Sequence, residues 1–254
     1  MTNPPYILDY LADIAEILNH PRVYAFLHVP VQAGSNSVLE DMQREYTNQD
    51  FCKVVDYLRQ HVPDVTIATD IICGYPTETE SDFEETLDLV RQYQFPSLFI
   101  NQFFPRPGTP AAKLKKIPAQ IVKQRTKQAS DIFQSQFPYS HKLGRLERVL
   151  ITEMATDEKH LVGHNKSYDQ VILPFVKEHM GQTVTVQITE TGKHFMRGKI
   201  MSHDVGLAEI PSVYSNPNNL SYKSRSVWSP WTFLIFLVLG FLCHIAFILY
   251  RQYG

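Results

Sequence analysis

The chain has 254 residues, a hydrophobic share of 44% and a formal net charge of −2. That composition fits an ordered globular protein and excludes a highly charged disordered one. The three cysteines, Cys52, Cys73 and Cys243, are far apart, which excludes a disulfide framework and any metal-ligand spacing and points to a reducing compartment.

Residues 1–25 carry acids and no basic-then-apolar leader, so no secretory signal is expected there. The first element is a helix opened by Pro4 and Pro5, with Ile7, Leu11, Ile14 and Leu18 on one face and Pro21 as its stop. Val23 to Val31 reads as a buried strand. Ser37 with Glu40 predicts a capping box before a short helix. Thr47 with Asp50 predicts a second box, and Phe51, Val54, Val55 and Leu58 follow at helical spacing. Val65 to Cys73 is a second buried strand. Past Gly74, Tyr75 and Pro76, Thr79 or Ser81 caps a helix carrying Phe83, Leu87 and Val90. Leu98 to Phe104 is a third strand, ended by the breakers from Pro105 to Pro110. Pro118 opens a long helix with Ile121, Arg125, Ala129 and Ile132 on one side.

Strand and helix thus alternate three times, which predicts a parallel sheet with ligands at the C-terminal strand ends. After His141 the pattern changes. Val149 and Ile151, then Val184, Val186 and Ile188, alternate with polar neighbours, and glycines recur at strand-length intervals. A small antiparallel barrel is expected over residues 142–211. Residues 212–229 are rich in Ser, Asn and Pro and read as a flexible tether. From Trp231 to Tyr250 no residue is fully charged. A bilayer core about 30 Å thick needs about 20 apolar residues, so this run is expected to be a transmembrane anchor, assigned to residues 230–250. Lys223 and Arg225 before it, against Arg251 after it, favour a cytosolic N-terminal body.

Charge is unevenly placed. Residues 1–141 hold 12 basic and 17 acidic residues, whereas residues 142–203 hold 9 and 7. Between Lys113 and Lys127 lie six basic residues and no acid. That run reads either as a solvated helix face or as a phosphate-contacting strip.

Three blocks carry a family resemblance. They run from His28 to Thr47, from Thr69 to Thr79 and from Asn101 to Ala111. In their order and spacing they resemble the radical SAM methylthiotransferases. Residues from about Arg145 to Met201 resemble the TRAM RNA-binding domain of those enzymes. With the anchor, the likeness narrows to the branch that methylthiolates threonylcarbamoyladenosine in tRNA, next to the anticodon. It implies an α/β partial (β/α) radical SAM barrel over residues 1–141. A small all-β, OB-like TRAM barrel and one C-terminal transmembrane helix would follow.

The resemblance also implies S-adenosyl-L-methionine and two [4Fe–4S] clusters as cofactors, tRNA as partner and the endoplasmic reticulum membrane as location. The chain has neither set of cluster cysteines and matches the C-terminal part of such an enzyme, beginning within the barrel. Catalysis by this chain alone is therefore not expected. Two other readings stay open: a non-catalytic, membrane-tethered RNA-binding isoform, and an incomplete gene model. The family usually has Ser at Ala33 and Gly at Thr77, and the latter departure suggests some relaxation of a tight turn.

By resemblance, Gln32, Ser35, Asp70, Gly74, Asn101 and Phe103 are the candidate cofactor-binding residues. Turn capping for Ser35, an ion pair for Asp70 and core packing for Phe103 are the alternatives. His164, Asn165, Lys166 and Tyr168 form an exposed-looking loop with donors, a cation and a ring, suited to stacking on bases and meeting phosphates. Lys193, Arg197 and Lys199 would extend that surface. His28 reads as a core histidine and Cys73 as a small buried hydrophobe. No residue is singled out as catalytic or as a metal ligand.

Overall fold

The computed structural model describes residues 2–201. The expected tether and the span from Trp231 to Tyr250 lie outside the described residues. Among the described residues, no helix is long and apolar enough to cross a membrane.

The N-terminal part is an α/β layer. Helices α1 (Pro4–Ile7) and α2 (Leu11–Asn19) precede β1 (Phe26–His28), and α3 (Asn36–Asp41) and α4 (Asn48–His61) lead to β2 (Thr66–Cys73). Then come α5 (Glu80–Tyr93), β3 (Ser97–Gln102) and the long α6 (Ala119–Ser135). The three strands pair in parallel in the order β1-β2-β3, with His28 opposite Ala68 and Asp70 opposite Phe99. Alternation along β2 sends Ile67, Thr69, Ile71 and Cys73 to the helix side and Asp70 and Ile72 to the open side. Leu11, Phe51, Val54, Leu58, Phe83, Val90 and Phe133 cover Ile67 and Ile71. Each such buried side chain contributes about 1.5–3 kcal/mol.

Local signals place the helix starts. Thr47 accepts from the Asp50 N–H at 3.2 Å while Asp50 accepts from the Thr47 N–H at 2.9 Å. Thr79 and Asp82 repeat the box with the same two distances. Two expectations are corrected. The α3 cap position is Ser35 rather than Ser37, because both hydroxyls turn to Asp82 across the chain. On α6 the buried face is Val122, Arg125, Ala129 and Phe133, so Ile121 points outward. Thr77 is not among the residues with left-handed backbone, so the family's glycine there is not needed for the turn.

The second part is a closed barrel of β4 (Leu146–Met154), β5 (His160–His164), β6 (Gln170–Pro174), β7 (Thr183–Thr191) and β8 (Met196–Ile200). Its order is β4-β5-β6-β8-β7. Every pairing is antiparallel except β6 with β8, which is parallel at Val171–Met196 and Ile172–Arg197. This corrects the all-antiparallel expectation: a five-stranded sheet closes on itself only if one pair runs the same way. Val149, Ile151, Leu161, Val171, Leu173, Val186, Ile188 and Met196 fill the interior.

The two parts belong to one compact unit. Lys142 and Asp169 form a buried ion pair at 2.6 Å, and the same carboxylate accepts from Thr66 Oγ1 at 3.0 Å at the start of β2. The Ala25 N–H donates to the Lys166 carbonyl at 2.7 Å.

Candidate functional site

The C-terminal ends of the three strands open into a cleft of about 660 Å³. Its floor is Asp70 and Ile72 on β2. One wall is Gln32 with the turn Asp41–Arg44 after α3, and the other runs from Asn101 to Phe104 and on to Arg106 and Pro110. Gln32 holds left-handed backbone, φ 72°. Its N–H donates to the Asp70 carbonyl at 2.8 Å, and its own carbonyl accepts from the Ile72 N–H at 2.8 Å. These bonds over-determine a conformation that costs about 1–3 kcal/mol, a pattern concentrated at functional sites. Asp70 faces His28 Nε2 at 3.1 Å, and the His28 ring lies 5.5 Å from Phe99. Tyr75 donates to the Asp41 carbonyl at 2.9 Å and meets Phe103 edge-on at 5.1 Å, fixing two walls to each other.

Of the six residues implied by resemblance to bind cofactor, Gln32, Asp70, Asn101 and Phe103 meet at this cleft. Ser35 and Gly74 do not. Ser35 is buried and donates to Asp82 at 2.5 Å. Burial alone would raise the Asp82 carboxyl, but the hydroxyls of Ser35, Ser37 and Thr79 and the Thr79 N–H hold it well below the usual carboxylate range. That clip ties the Gln32–Ser35 loop to α5. Gly74 has φ 81°, and a Cβ there would meet Val122 at 2.5 Å. Its free side is therefore closed by α6 rather than open to a ligand, while its N–H donates to Glu78 at 2.8 Å. Arg44, Arg106, Asp41 and Tyr75 line the cleft without having been singled out. All four fall inside the three sequence blocks, and that was the available signal.

Cys52 is half-buried on α4, and Cys73 is buried at the end of β2. Burial, aided by Glu78, pushes the Cys73 thiol up to about 12. Among the described residues, no group of three or more His, Cys, Asp or Glu is placed to hold a metal. A protonated buried thiol and a distant half-buried one do not fit an iron–sulfur cluster.

The barrel residues divide differently from expectation. Lys166 donates to the carbonyls of Leu18 at 2.7 Å and His20 at 2.8 Å and also to that of Val23. Its ammonium thus caps the end of α2 instead of meeting phosphate, and burial lowers its pKa. Asn165 is buried, donates to Asp169 at 3.1 Å and accepts from the Ser167 and Asp169 N–H groups. Lys193 donates to the Gln136 carbonyl at 3.0 Å and to that of Phe133, at the end of α6. Lys166 and Lys193 hold the barrel on the α/β layer, and Asn165 braces Asp169, which accepts from Thr66. His164 and Tyr168 stack at 4.4 Å, and Tyr168 also touches Tyr24 and Phe26. Arg197 and Lys199 stay exposed on β8, Arg197 only 3.7 Å from Glu190.

A strand-end cleft on a parallel α/β sheet, bonded to a closed five-stranded barrel, defines an α/β domain paired with a small β-barrel. Comparison agrees with that architecture: residues 1–90 match the Radical SAM superfamily and residues 141–201 match the TRAM domain. The chain is 54% identical over 252 residues to a threonylcarbamoyladenosine tRNA methylthiotransferase of Drosophila melanogaster, covering 99% of this chain and 46% of that one. It is 59% identical over 202 residues to the Homo sapiens protein of the same name, covering 80% of this chain and 35% of that one. A probable threonylcarbamoyladenosine tRNA methylthiotransferase of Archaeoglobus fulgidus is 34% identical over 202 residues, 79% of this chain and 47% of that one. The chain is similar to these methylthiotransferases along most of its own length. It spans less than half the length of these curated relatives.

Proposed function

We propose that this chain carries the adenosylmethionine-facing cleft and the RNA-facing barrel of a tRNA methylthiotransferase that acts on threonylcarbamoyladenosine. The observation that carries this reading is the convergence of Gln32, Asp70, Asn101 and Phe103 on one cleft, on a layer fused to a TRAM barrel. The cleft volume falls within the roughly 300–1,000 Å³ that small-molecule sites use. Its amides, a carboxylate and a ring suit a nucleoside joined to an amino acid. S-adenosyl-L-methionine bound here would supply a methyl group, and an adenosyl radical only where an iron–sulfur cluster held by other residues gave it an electron.

The chain's own residues orient and enclose. The Asn101 and Gln32 amides offer donors and acceptors, Phe103 offers an apolar face, and the His28 ring stands 3.1 Å from the Asp70 carboxylate. Iron–sulfur ligands do not come from these residues. The scarcity of cysteine favours a second reading, a membrane-tethered RNA-binding protein without catalysis.

Calorimetric titration of the full chain in detergent with S-adenosyl-L-methionine distinguishes the two. Saturable binding that Asp70→Asn and Asn101→Ala weaken supports the first reading; wild-type protein that releases no binding heat supports the second. The apolar run from Trp231 to Tyr250 is proposed to anchor the chain in the endoplasmic reticulum membrane with its body toward the cytosol. Deleting residues 231–250 is then expected to move the protein from carbonate-washed microsomes to the supernatant. A deletion variant that stays in the pellet would remove the anchor from this picture.

A further inference from the structure

Between residues 89 and 130 the chain has eight Lys and Arg and no Asp or Glu, inside a protein of net charge −2. Two of the eight are neutralised at home. Arg91 pairs with Glu84 and Asp88, and Arg125 with Glu78 and Glu80. Arg106, Lys113, Lys115 and Lys116 are exposed on the segment between β3 and α6, and none takes part in the ion pairs found among the described residues.

This segment is ordered. Thr109 donates through N–H and hydroxyl to the Arg106 carbonyl, and Ala112 and Leu114 close the next turns. Pro105, Pro107, Pro110 and Pro118 stiffen it further. Its near end is the cleft wall itself, where Arg106 and Pro110 sit beside Phe104, whose ring is 81% exposed.

Like charges held this close repel, and an aromatic ring left in water wastes its apolar surface. Both features are relieved by a polyanion that also carries flat rings. We propose that Arg106, Lys113, Lys115 and Lys116 form a second RNA-contacting surface, which holds the phosphate backbone of a looped RNA strand while Phe104 stacks on a base at the mouth of the cleft. This rests on the reading that the substrate is RNA, and it places a grip on the α/β layer independent of the barrel. An anionic membrane would also attract the lysines. It would lie across the cleft mouth, however, and leave Phe104 without a base to stack on.

The test is binding of a fluorescent RNA stem-loop to the full chain in detergent across a salt series. The triple variant Lys113→Gln, Lys115→Gln, Lys116→Gln is expected to weaken binding about tenfold or more. It should flatten the log–log salt slope by about two units, at roughly 0.7–0.9 per lost contact. Phe104→Ala is expected to weaken binding several-fold with the slope unchanged. If wild type binds RNA and the triple variant matches it in affinity and slope, the proposal falls while the barrel reading stands. If wild type does not bind RNA, both fall. Co-flotation with anionic vesicles of the protein deleted for residues 231–250 that drops when the triple substitution is added, with RNA binding intact, would assign the strip to a membrane and overturn the proposal.

Discussion

Asp169→Ala is expected to cost about 3–5 kcal/mol of folding stability, the value typical of breaking a buried ion pair by removing one partner. The Lys142 and Asp169 side chains are 3% and 1% exposed. Asp169 accepts from Lys142 at 2.6 Å, from Thr66 at 3.0 Å and from Asn165 at 3.1 Å. Without the carboxylate, the Lys142 ammonium keeps only the Ser167 hydroxyl at 3.4 Å and is too deep for water. For a protein of this size the loss corresponds to a fall in Tm of about 10 °C or more. The network joins the barrel to the start of β2, so the α/β layer and the barrel should loosen together. Lys142→Met with Asp169→Leu should recover most of the loss, because it removes both charges and keeps the volume. Thermal melts of the three proteins measure this. A single variant within about 0.5 kcal/mol of wild type would mean that Lys142 finds water or another partner.

What the sequence made legible follows from range. The Thr47–Asp50 capping box was readable because both partners lie within one turn, and Thr79, one of the two caps considered for the next helix, closes a like box with Asp82. The second and third strands were readable from their apolar runs, whereas of the buried strand expected over Val23–Val31 only Phe26–His28 pairs, half-buried at the sheet edge; the cleft was placed by the rule that ligands meet parallel strands at their C-terminal ends. The Ser35–Asp82 bond was not readable because the partners lie 47 residues apart. Lys166 was read as an exposed cation because a loop with donors and a ring looks the same whether it faces solvent or caps a helix. Its carbonyl partners are 143–148 residues earlier. The parallel closure of β6 on β8 is likewise a property of barrel geometry, which no local pattern encodes. The basic run after β3 was noticed, but its two readings could be weighed only once Arg125 proved to be buried and the lysines before it exposed.

Arg125→Met is expected to destabilise the protein by a similar amount, about 3–5 kcal/mol at neutral pH, and to make stability pH-dependent in an unusual direction. Arg125 donates to the Glu78 carboxylate at 2.7 Å and the Glu78 carbonyl at 3.0 Å, and the Glu78 side chain is 1% exposed. In the wild type, burial already raises the Glu78 carboxyl above its ordinary value, opposed by the Gly74 N–H and by Arg125. Removing the guanidinium leaves only the Gly74 N–H, so the folded-state pKa rises further while the unfolded value stays near the model-peptide level of about 4.3. The folded variant then holds a proton that the unfolded chain has released. Its stability falls as pH rises through that window and returns on acidification, the reverse of an ordinary paired carboxylate. Urea melts at mildly acidic and mildly alkaline pH should show a deficit that shrinks toward acid. Arg125→Met with Glu78→Gln should remove both the pH dependence and most of the loss. The same pair sets the Gly74–Glu78 turn that carries Tyr75 to the cleft wall, so Arg125→Met should also weaken S-adenosyl-L-methionine binding where the double variant restores it. A deficit equal at both pH values would assign Arg125 a packing role over the Phe83 ring, which it crosses at 5.3 Å, and show that its loss does not shift the Glu78 carboxyl.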